Sequence, residues 1–550
     1  MQRRHFLATC ALPLMGCGHP DDIGGGFTGI DHARGHLLRD AGNTAKAWPA
    51  PSVFHTTEVV IAGGGVAGLS AARALRLQGV DDFALLELED AAGGNSRGGT
   101  VNGISCPLGA HYLPLPGDDA PEVQDLLEEL GLRKRVSGRW EYDERHLCHS
   151  PQERLFFNGE WQSGLLPMQG VEAATLAQYA QFSKLVEQAR KAARWMVPVS
   201  NQPLAPVQRA LTAMTFVAYL EANGLTDAHL RWYLDYCCRD DYGAGIATVS
   251  AWAGIHYFAS RHGFSAPGME TSEREGLLTW PEGNAWLTRR MAAPLSDRLH
   301  TGQIVLRIAS VKHGVEVDVF NTARQRVERW RALRGIVALP IFVAVRVVQD
   351  APDFLRRAAA RTVYAPWLVA NIHIKAPLFD RPGAAPSWDN VLYGSFQSGG
   401  GLGYVDAMHQ SLQPVPGATV LTHYRALGDL AGGAAHGRKR LMDTPWSEWR
   451  DTIMAELSLA HPDLSVKTTR IDITRYGHAM AIPVPQITGQ IGLQSPQNVR
   501  GQLSKSEHSG VDDARLSYAH SDWAGYSVFE EAFTLGHASV KKRNPRQRQG

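Results

Sequence analysis

The sequence predicts an α/β protein in which a lobe built on a parallel sheet is interleaved with a second, α+β lobe. Residues 58–94 read as a strand, a glycine-rich turn, a helix and a second strand, the unit from which parallel sheets are built. The stretch 118–276 is largely helical by its apolar spacing, whereas 351–504 mixes strands and helices. A chain of 550 residues exceeds what one hydrophobic core usually holds, so two lobes are expected.

The turn after the first strand, 58–62, has the spacing of a dinucleotide site. Gly63 permits the tight turn, Gly65 lets the backbone approach a pyrophosphate, and Gly68 lets the helix, 66–77, pack closely on the strand. The N-terminus of that helix offers free N–H groups to phosphates. Glu87 follows Gly68 by nineteen residues, in the second strand, 83–88, where it can accept hydrogen bonds from ribose hydroxyls. The alternative is a glycine-rich turn in another α/β unit.

The residues after Glu87 resemble a segment of the flavin amine oxidase and phytoene desaturase superfamily. Gly93 and Gly94 stand at the E-x-x-x-x-x-G-G spacing, and Asn95, Ser96 and Arg97 follow them. The resemblance implies that the cofactor is FAD, held by a Rossmann-like lobe of the glutathione reductase type. It also implies that the glycine pair and Arg97 lie close to the FAD phosphates and flavin.

Two further segments extend the resemblance. The stretch 106–117, CPLGAHYLPLPG, is similar to the family's segment along the isoalloxazine ring, which implies that Gly109 and Ala110 contact the flavin. The strand pair 302–320 resembles the pair whose valine backbone meets the adenine, and Val311 is the matching position.

The segment 518–540 resembles the motif that closes the family's sequences. In that motif an acidic residue meets the pyrophosphate, and a helix led by glycine points its N-terminus at the flavin. Asp522, Gly525 and Tyr526 stand at the matching places. The helical spacing of apolar residues after Gly525 supports a packed helix.

The N-terminus predicts export and a lipid anchor. Arg3 and Arg4, followed by His-Phe-Leu, match a twin-arginine signal, and the apolar stretch 6–15 is too short to span a bilayer. It ends at Cys17 in Leu-Met-Gly-Cys, which resembles a bacterial lipobox. We therefore expect the twin-arginine machinery to export the protein to the periplasm, where lipidated Cys17 anchors it in the membrane. The alternative is an N-terminus that is basic and apolar by chance.

The predicted domain organisation is discontinuous. The substrate cleft is expected between the lobes, over the flavin. The segments are a signal (1–17), a tether (18–54), a FAD-binding lobe (55–117, 277–350 and 505–542), a substrate lobe (118–276 and 351–504) and a basic tail (543–550).

The net charge and the cysteine spacings argue against a nucleic-acid-binding protein and a zinc protein. The net charge of +1 gives no argument for a nucleic-acid partner. The cysteine spacings match no zinc pattern, so we expect no metal, but they leave a disulfide between Cys106 and Cys148 open.

The catalytic residues are less evident. Amine oxidases of the superfamily place a lysine near flavin N5, but in 366–379 that position falls on Leu368 or Val369, and Lys375 is expected to be exposed. His111 and His478 are the candidates for acid or base chemistry, and the alternative for each is a hydrogen-bonded structural histidine. Asp240 and Asp241, beside Arg239, could bind a cationic substrate. The alternative is that they lie at a solvated helix end.

The resemblance implies an FAD-dependent oxidoreductase that oxidises an amine or another small organic donor. Since no second G-x-G-x-x-G unit is present, electrons would pass to oxygen or a quinone-type acceptor rather than to a nicotinamide. Two alternatives stay open: a desaturase or isomerase of an apolar lipid-like substrate, and a non-catalytic assembly protein that contains FAD.

Overall fold

The computed structural model describes residues 23–43, 48–267, 276–394, 400–411, 415–486 and 515–540. The twin-arginine motif, Cys17 and the basic tail lie outside the described residues. The strands are β1 (Gly24–Phe27), β2 (Val53–Ala62), β3 (Phe83–Leu86), β4 (Gly98–Val101), β5 (Ile104–Pro107), β6 (Tyr112–Pro114), β7 (Arg133–Val136), β8 (Arg139–Tyr142), β9 (Glu153–Phe157), β10 (Glu160–Ser163), β11 (Leu277–Thr279), β12 (Leu299–His300), β13 (Gln303–Val311), β14 (Gly314–Asn321), β15 (Arg326–Val337), β16 (Val363–Ile374), β17 (Asp389–Leu392), β18 (Tyr404–Asp406), β19 (Thr419–Ala426), β20 (Thr468–Ile482) and β21 (Leu516–Tyr518). The helices are α1 (His32–Asn43), α2 (Val66–Leu77), α3 (Pro121–Glu129), α4 (Ala173–Ala192), α5 (Pro206–Leu211), α6 (Phe216–Ala222), α7 (Ala228–Tyr242), α8 (Ala251–Ala259), α9 (Ala285–Ala292), α10 (Ile341–Val347), α11 (Asp353–Arg361), α12 (Gly433–Asp443), α13 (Trp446–Leu457), α14 (Leu464–Lys467) and α15 (Phe529–Ser539).

The first sheet has the strand order β12-β3-β2-β15-β14-β13, with β21 beside β15. Strand β2 runs parallel to β3 and β15, as the sequence predicts for a βαβ unit. Helix α2 has the predicted limits and is buried from Val66 to Leu75. Strand β2 begins at Val53 rather than at residue 58, because residues 53–57 pair with residues 328–332 of β15.

The second sheet has the strand order β1-β20-β16-β19-β18-β17-β9-β10. Its strand β16 is buried on both faces. Leu368 and Ala370 pack in the cluster that contains α13, whereas Trp367 and Val369 pack in the cluster that contains α7 and α8. The second sheet is therefore a central layer with helices on either side.

The predicted tether is wrong for residues 24–43, which form β1 and α1. Strand β1 pairs in parallel with residues 470–473 of β20, and α1 lies against β13 of the first sheet. The glycines on which the tether prediction rested allow β1 to pair closely with β20. A Cβ atom on Gly25 would lie 1.9 Å from the carbonyl oxygen of Ile471, so only glycine allows the close approach.

Cys106 and Cys148 are buried free thiols in two separate apolar clusters, so the disulfide that the sequence left open is not formed. Among the helices of the described residues, none combines the length and the apolar character that crossing a membrane requires.

Candidate functional site

The glycine turn and the glycine pair meet at the N-terminus of α2. Gly93 N–H donates a hydrogen bond to the carbonyl oxygen of Gly64 over 2.8 Å. A Cβ atom on Gly65 would have only the Cα of Gly94 near it, at 3.8 Å. Two backbone segments thus run side by side with no side chain between them, which is the approach that a pyrophosphate needs. The residues present therefore fit the phosphates of FAD, and they are Gly63, Gly65, Gly68, Gly93 and Gly94.

Glu87 fixes the geometry of this turn. It is 7% exposed, and its two carboxylate oxygens accept hydrogen bonds from Gly64 N–H and Glu89 N–H, each over 2.8 Å. Burial raises the pKa of Glu87, while the two N–H groups act in the opposite direction. Each carboxylate oxygen keeps a lone pair for a ribose hydroxyl. Arg97 lies nearby, with its Nη1 atom 3.4 Å from Glu89 Oε2.

Val311 is not brought to this site. Gln303, at the start of β13, donates from its N–H to the carbonyl oxygen of Glu87 over 2.8 Å, whereas Val311 pairs with Gly314 at the far end of the strand. Eight residues of strand separate Gln303 from Val311 by roughly 26 Å. The apolar pattern runs along the whole strand pair, so it predicts the strand without fixing which residue lies beside Glu87. It is the start of β13, at Gln303, that lies beside Glu87.

The segment 107–111 is where the two lobes meet. The carbonyl oxygens of three successive residues, 107–109, each accept a hydrogen bond from a side chain of the second sheet. The donors are Asn371 (3.0 Å), Tyr476 (2.7 Å) and Tyr424 (3.1 Å). No sequence pattern indicated these donors, because they lie on three strands that are distant in the chain. They fix the path of the segment that the resemblance places along the flavin.

Gly109 and Ala110 are held by the glycine-pair segment. Ala110 N–H donates to the carbonyl oxygen of Asn95 over 2.9 Å. A Cβ atom on Gly109 would lie 2.1 Å from that same oxygen, so a side chain there would push the two segments apart. The cofactor-binding segments predicted separately are thus joined to each other.

His111 lies among three aromatic rings. Its ring centroid is 4.4 Å from that of Tyr424, 5.0 Å from that of Tyr112 and 5.4 Å from that of Trp388. We call these four residues the aromatic cage. His111 and Tyr112 stay partly accessible, as residues lining a cleft do. Burial lowers the pKa of His111 to about 3, so its imidazole is neutral at physiological pH.

His478 lies elsewhere. It is on β20, and its ring stacks on Phe342 of α10 with centroids 4.3 Å apart. Its other ring neighbour is Tyr364, at 5.7 Å. Since neither belongs to the aromatic cage, the structure does not bring His478 together with His111. Desolvation by these neighbours, with Arg438 and Arg346 nearby, lowers the pKa of His478 to about 4.

Asp522 ties the closing motif to the start of α10. It is 1% exposed, and its Oδ2 accepts hydrogen bonds from Ile341 N–H (3.0 Å) and the Tyr364 hydroxyl (2.6 Å). Burial alone would raise the pKa of Asp522, but His520 and the hydrogen bonds outweigh it, and the pKa is lowered. Gly525 follows with a φ of +86°, a left-handed turn that glycine adopts without strain.

Tyr526 is fully buried, and its hydroxyl donates to Glu531 Oε1 over 2.9 Å. Its ring packs against Trp252 and His256 of α8. A contact of Tyr526 with FAD would therefore come from its main chain, because its side chain is engaged in the helical part of the substrate lobe.

Strand β16 is where the resemblance places the lysine of amine oxidases, and the absence of a lysine from flavin N5 stays a prediction. Strand β16 contains no lysine, and Lys375, directly after its end, is exposed. On the face toward α7, Val369 packs in the same apolar cluster as Trp388 and Tyr424 of the aromatic cage.

Asp240 is not part of a solvated helix end. Its neighbour Asp241 is 6% exposed and forms an ion pair with Arg261 at 3.0 Å. Burial, followed by the charge of Asp241, raises the pKa of Asp240 to about 7. Tyr236, one turn earlier on α7, donates from its hydroxyl to Asp389 Oδ2 over 3.3 Å. The sequence offered no signal for Asp389, because it lies 149 residues beyond Asp240 in the chain.

Comparison with known proteins agrees with this architecture. Over 219 residues the chain is 28% identical to coproporphyrinogen III oxidase of Mycobacterium leprae (strain TN), a match that spans 40% of this chain and 44% of that protein. Wild-type putrescine oxidase bound to putrescine superposes with a TM-score of 0.62 and 17% identity over 88% of this chain and 98% of its own. A fatty acid isomerase from P. acnes, described as producing CLA, superposes with a TM-score of 0.59 and 15% identity over 88% of this chain and 97% of its own. These two structures share the fold.

Residues 66–536 match the family model of flavin-containing amine oxidoreductases. The match covers both lobes and runs from the N-terminus of α2 into α15. The chain is an FAD-dependent oxidoreductase that belongs to the flavin-containing amine oxidoreductase family.

Proposed function

We propose that this protein oxidises a small aliphatic amine in a cleft between its two lobes. The aromatic cage is the observation that carries the proposal. Its first member, His111, lies two residues after the segment 107–109, which three side chains of the second sheet hold in place. The faces of aromatic rings attract alkylammonium groups, and they pack against alkyl chains.

The chain's own residues hold the amine and exclude water. The chemistry that bound FAD would supply is removal of a hydride, two electrons together with one proton, from the C–H bond next to nitrogen. The amine also loses a proton, and the resulting imine reacts with water to give an aldehyde and ammonia. His111, with its pKa lowered to about 3, is too weak a base to hold that proton at neutral pH. Its neutral ring suits it instead to a hydrogen bond with the amine.

The acidic groups near the cage favour an amine over the substrates of the alternative functions. Fatty acids and coproporphyrinogen carry carboxylates, whereas Asp240 and Asp389, whose pKa values burial raises, are better matched by an ammonium group that donates hydrogen bonds to them. A desaturase or isomerase of a fatty acid therefore suits this cleft less well than an amine oxidase does. A non-catalytic FAD protein does not account for a cage that lies beside the cofactor segment.

We further propose that oxygen is a poor electron acceptor for this enzyme and that a quinone-type carrier replaces it. The absence of a lysine from β16 supports this, because the resemblance places the family's lysine on this strand, where it would hold a water near flavin N5. The predicted lipid anchor at Cys17 would bring the protein to the membrane, where quinones are found.

Anaerobic flavin reduction tests the proposed function. The purified holoenzyme is mixed without oxygen with aliphatic amines, and in parallel with unsaturated fatty acids. We expect amines to bleach the absorbance of the oxidised flavin and fatty acids to leave it unchanged. Reoxidation of the bleached enzyme should be slower with oxygen than with a soluble quinone. Isomerised fatty acid in the absence of any bleaching by amines would contradict the proposal.

A further inference from the structure

We propose that one edge of the second sheet rests on an anionic phospholipid bilayer. Strand β16 ends and β20 begins at this edge, since Ile374 pairs with Thr468 and Lys375 N–H donates to the carbonyl oxygen of Lys467 over 3.0 Å. The proposal does not depend on amine oxidation. It adds an interaction surface of the folded protein to the predicted lipid anchor.

Three exposed apolar side chains lie at this edge. Leu459 and Val466 belong to the segment between α13 and β20, and they are 66% and 42% exposed. Phe379, which is 68% exposed, is held against that segment. Its N–H donates to Asp463 Oδ2 over 2.9 Å, and Lys467 Nζ lies 3.9 Å from the centroid of its ring. A single exposed apolar residue is ordinary, but a group of them indicates a surface that binds a partner.

The same edge has a small excess of positive charge. The segment 375–381 contains two basic residues, Lys375 and Arg381, and one acid. Lys375 is exposed, and Arg381 is partly exposed. Lys467 forms an ion pair with Asp463 at 2.6 Å, so these two residues together add no charge. Basic side chains beside exposed apolar ones suit a bilayer surface that carries anionic headgroups.

The predicted anchor reaches the fold at this edge. Strand β1 begins here, because Gly24 pairs with Arg470 near the start of β20. Ile23, where the described fold begins, packs in the apolar cluster that contains Ile374. The predicted lipidation site, Cys17, precedes Ile23 by six residues, which span at most about 20 Å. A lipid on Cys17 would therefore bring this edge, rather than another face of the protein, to the bilayer.

The surface suits a bilayer better than a second copy of the chain. A stable protein interface takes about 20–30 residues from each partner, whereas the apolar part of this surface consists of Phe379, Leu459 and Val466. A bilayer needs no matching shape, because a few apolar side chains enter it while basic side chains meet the headgroups. A lipid attached near one end of the chain does not fix how the protein is oriented. The surface would fix that orientation.

The experiment measures vesicle binding by the full chain with Cys17→Ala, so that no acyl chain contributes. The holoprotein is sedimented with vesicles of phosphatidylglycerol and phosphatidylethanolamine, and flavin absorbance gives the bound fraction. We expect Phe379→Ser and Leu459→Ser each to weaken binding about tenfold, because each removes an apolar side chain from the bilayer contact. Leu333→Ser is the matched control, since Leu333 is 61% exposed on β15 of the first sheet, and it should leave binding unchanged.

Lys375→Gln tests the contribution of charge. It should weaken binding to the anionic vesicles about fivefold, and it should not change binding to vesicles of phosphatidylcholine. Lys184→Gln, at an exposed position of α4, is the control for this substitution. Equal binding of the two variants to anionic vesicles would contradict the contact with headgroups.

Hydrogen–deuterium exchange gives a second readout, on the chain with its surface unchanged. Vesicles should slow exchange in residues 375–381 and 459–467 but not in the turn 312–314. Absence of this slowing, or equal binding by Leu459→Ser and Leu333→Ser, would overturn the proposal. A dimer that Leu459→Ser converts to a monomer would also overturn it, because a second copy would then occupy the surface. These measurements contain no amine, so the proposed function is tested separately.

Discussion

The charge state of His111 follows from its neighbours. Three rings enclose its imidazole, and the desolvation this causes lowers its pKa from the ordinary 6.5 to about 3. Histidine ordinarily titrates near neutrality, which is why the sequence suggested an acid or base role for His111. Because burial lowers its pKa to about 3, the imidazole is neutral over the physiological range, and we expect it to act as a hydrogen-bonding group in the cage.

This shift makes stability depend on pH in one direction. In the unfolded chain His111 takes up a proton as the pH falls below about 6.5, whereas in the folded protein it does so only near pH 3. The unfolded state therefore binds more protons in this window, and stability falls as the pH falls. The variant His111→Phe keeps an aromatic ring in the cage. We expect its melting temperature to fall less than that of the wild type when the pH is lowered from 6.5 to 4.

Thermal melts of the holoenzyme across this pH range provide the measurement. His313→Asn is the control, because His313 lies at the turn between β13 and β14 and stays exposed to solvent in the folded protein. The control should follow the wild-type curve. A curve for His111→Phe with the same slope as the wild type would show that the cage does not hold the imidazole neutral.

At the scale of elements, β1 and α1 link the two sheets. Strand β1 extends the second sheet, and Arg34 of α1 pairs with Asp90 in the FAD-binding lobe at 2.8 Å. The pairing of β1 depends on Gly25, whose φ is +138° and whose hydrogen faces the carbonyl of Ile471. A Cβ atom on the next glycine, Gly26, would meet no other described atom within 4 Å, so the two glycines form a matched pair.

We expect Gly25→Ala to destabilise the pairing of β1 by about 1–3 kcal/mol, because the added methyl overlaps the Ile471 carbonyl and the backbone is strained. Hydrogen–deuterium exchange should then be faster in residues 24–43, including the amide of Thr28, which donates to Ile473. Gly26→Ala should leave exchange there unchanged. Equal exchange in the two variants would mean that β1 does not need the close approach at Gly25.

The sequence predicted the elements whose signal is local. Helix α2 has its predicted limits because an apolar face and a glycine turn define it within twenty residues. Val311 was misplaced because strand periodicity does not mark a position along β13. The side chains that hold segment 107–109 come from β16, β19 and β20, and no pattern within one strand indicates that they converge. The same limit applies to the pairing of Tyr236 with Asp389.

At the scale of the whole molecule, FAD binding requires nearly the complete chain. The first sheet takes its strands from residues 53–86, 299–337 and 516–518, and helix α15 packs on α2. The cofactor lobe can therefore close only after the last of these stretches has been synthesised. A protein of this kind that works outside the cytoplasm has to bind its cofactor first and cross the membrane folded, which is what twin-arginine export does.

We expect Arg3→Lys combined with Arg4→Lys to leave a folded, yellow precursor in the cytoplasm, since the chain would bind FAD there but not be exported. Cys17→Ala should prevent acylation and normal lipoprotein processing. Ile23, where the described fold begins, follows Cys17 by six residues, so the anchor would hold the folded body within about 20 Å of the bilayer surface. Cell fractionation with flavin absorbance distinguishes these outcomes. Mass spectrometry that found Met1 intact on the membrane-associated protein would contradict both the export route and the anchor.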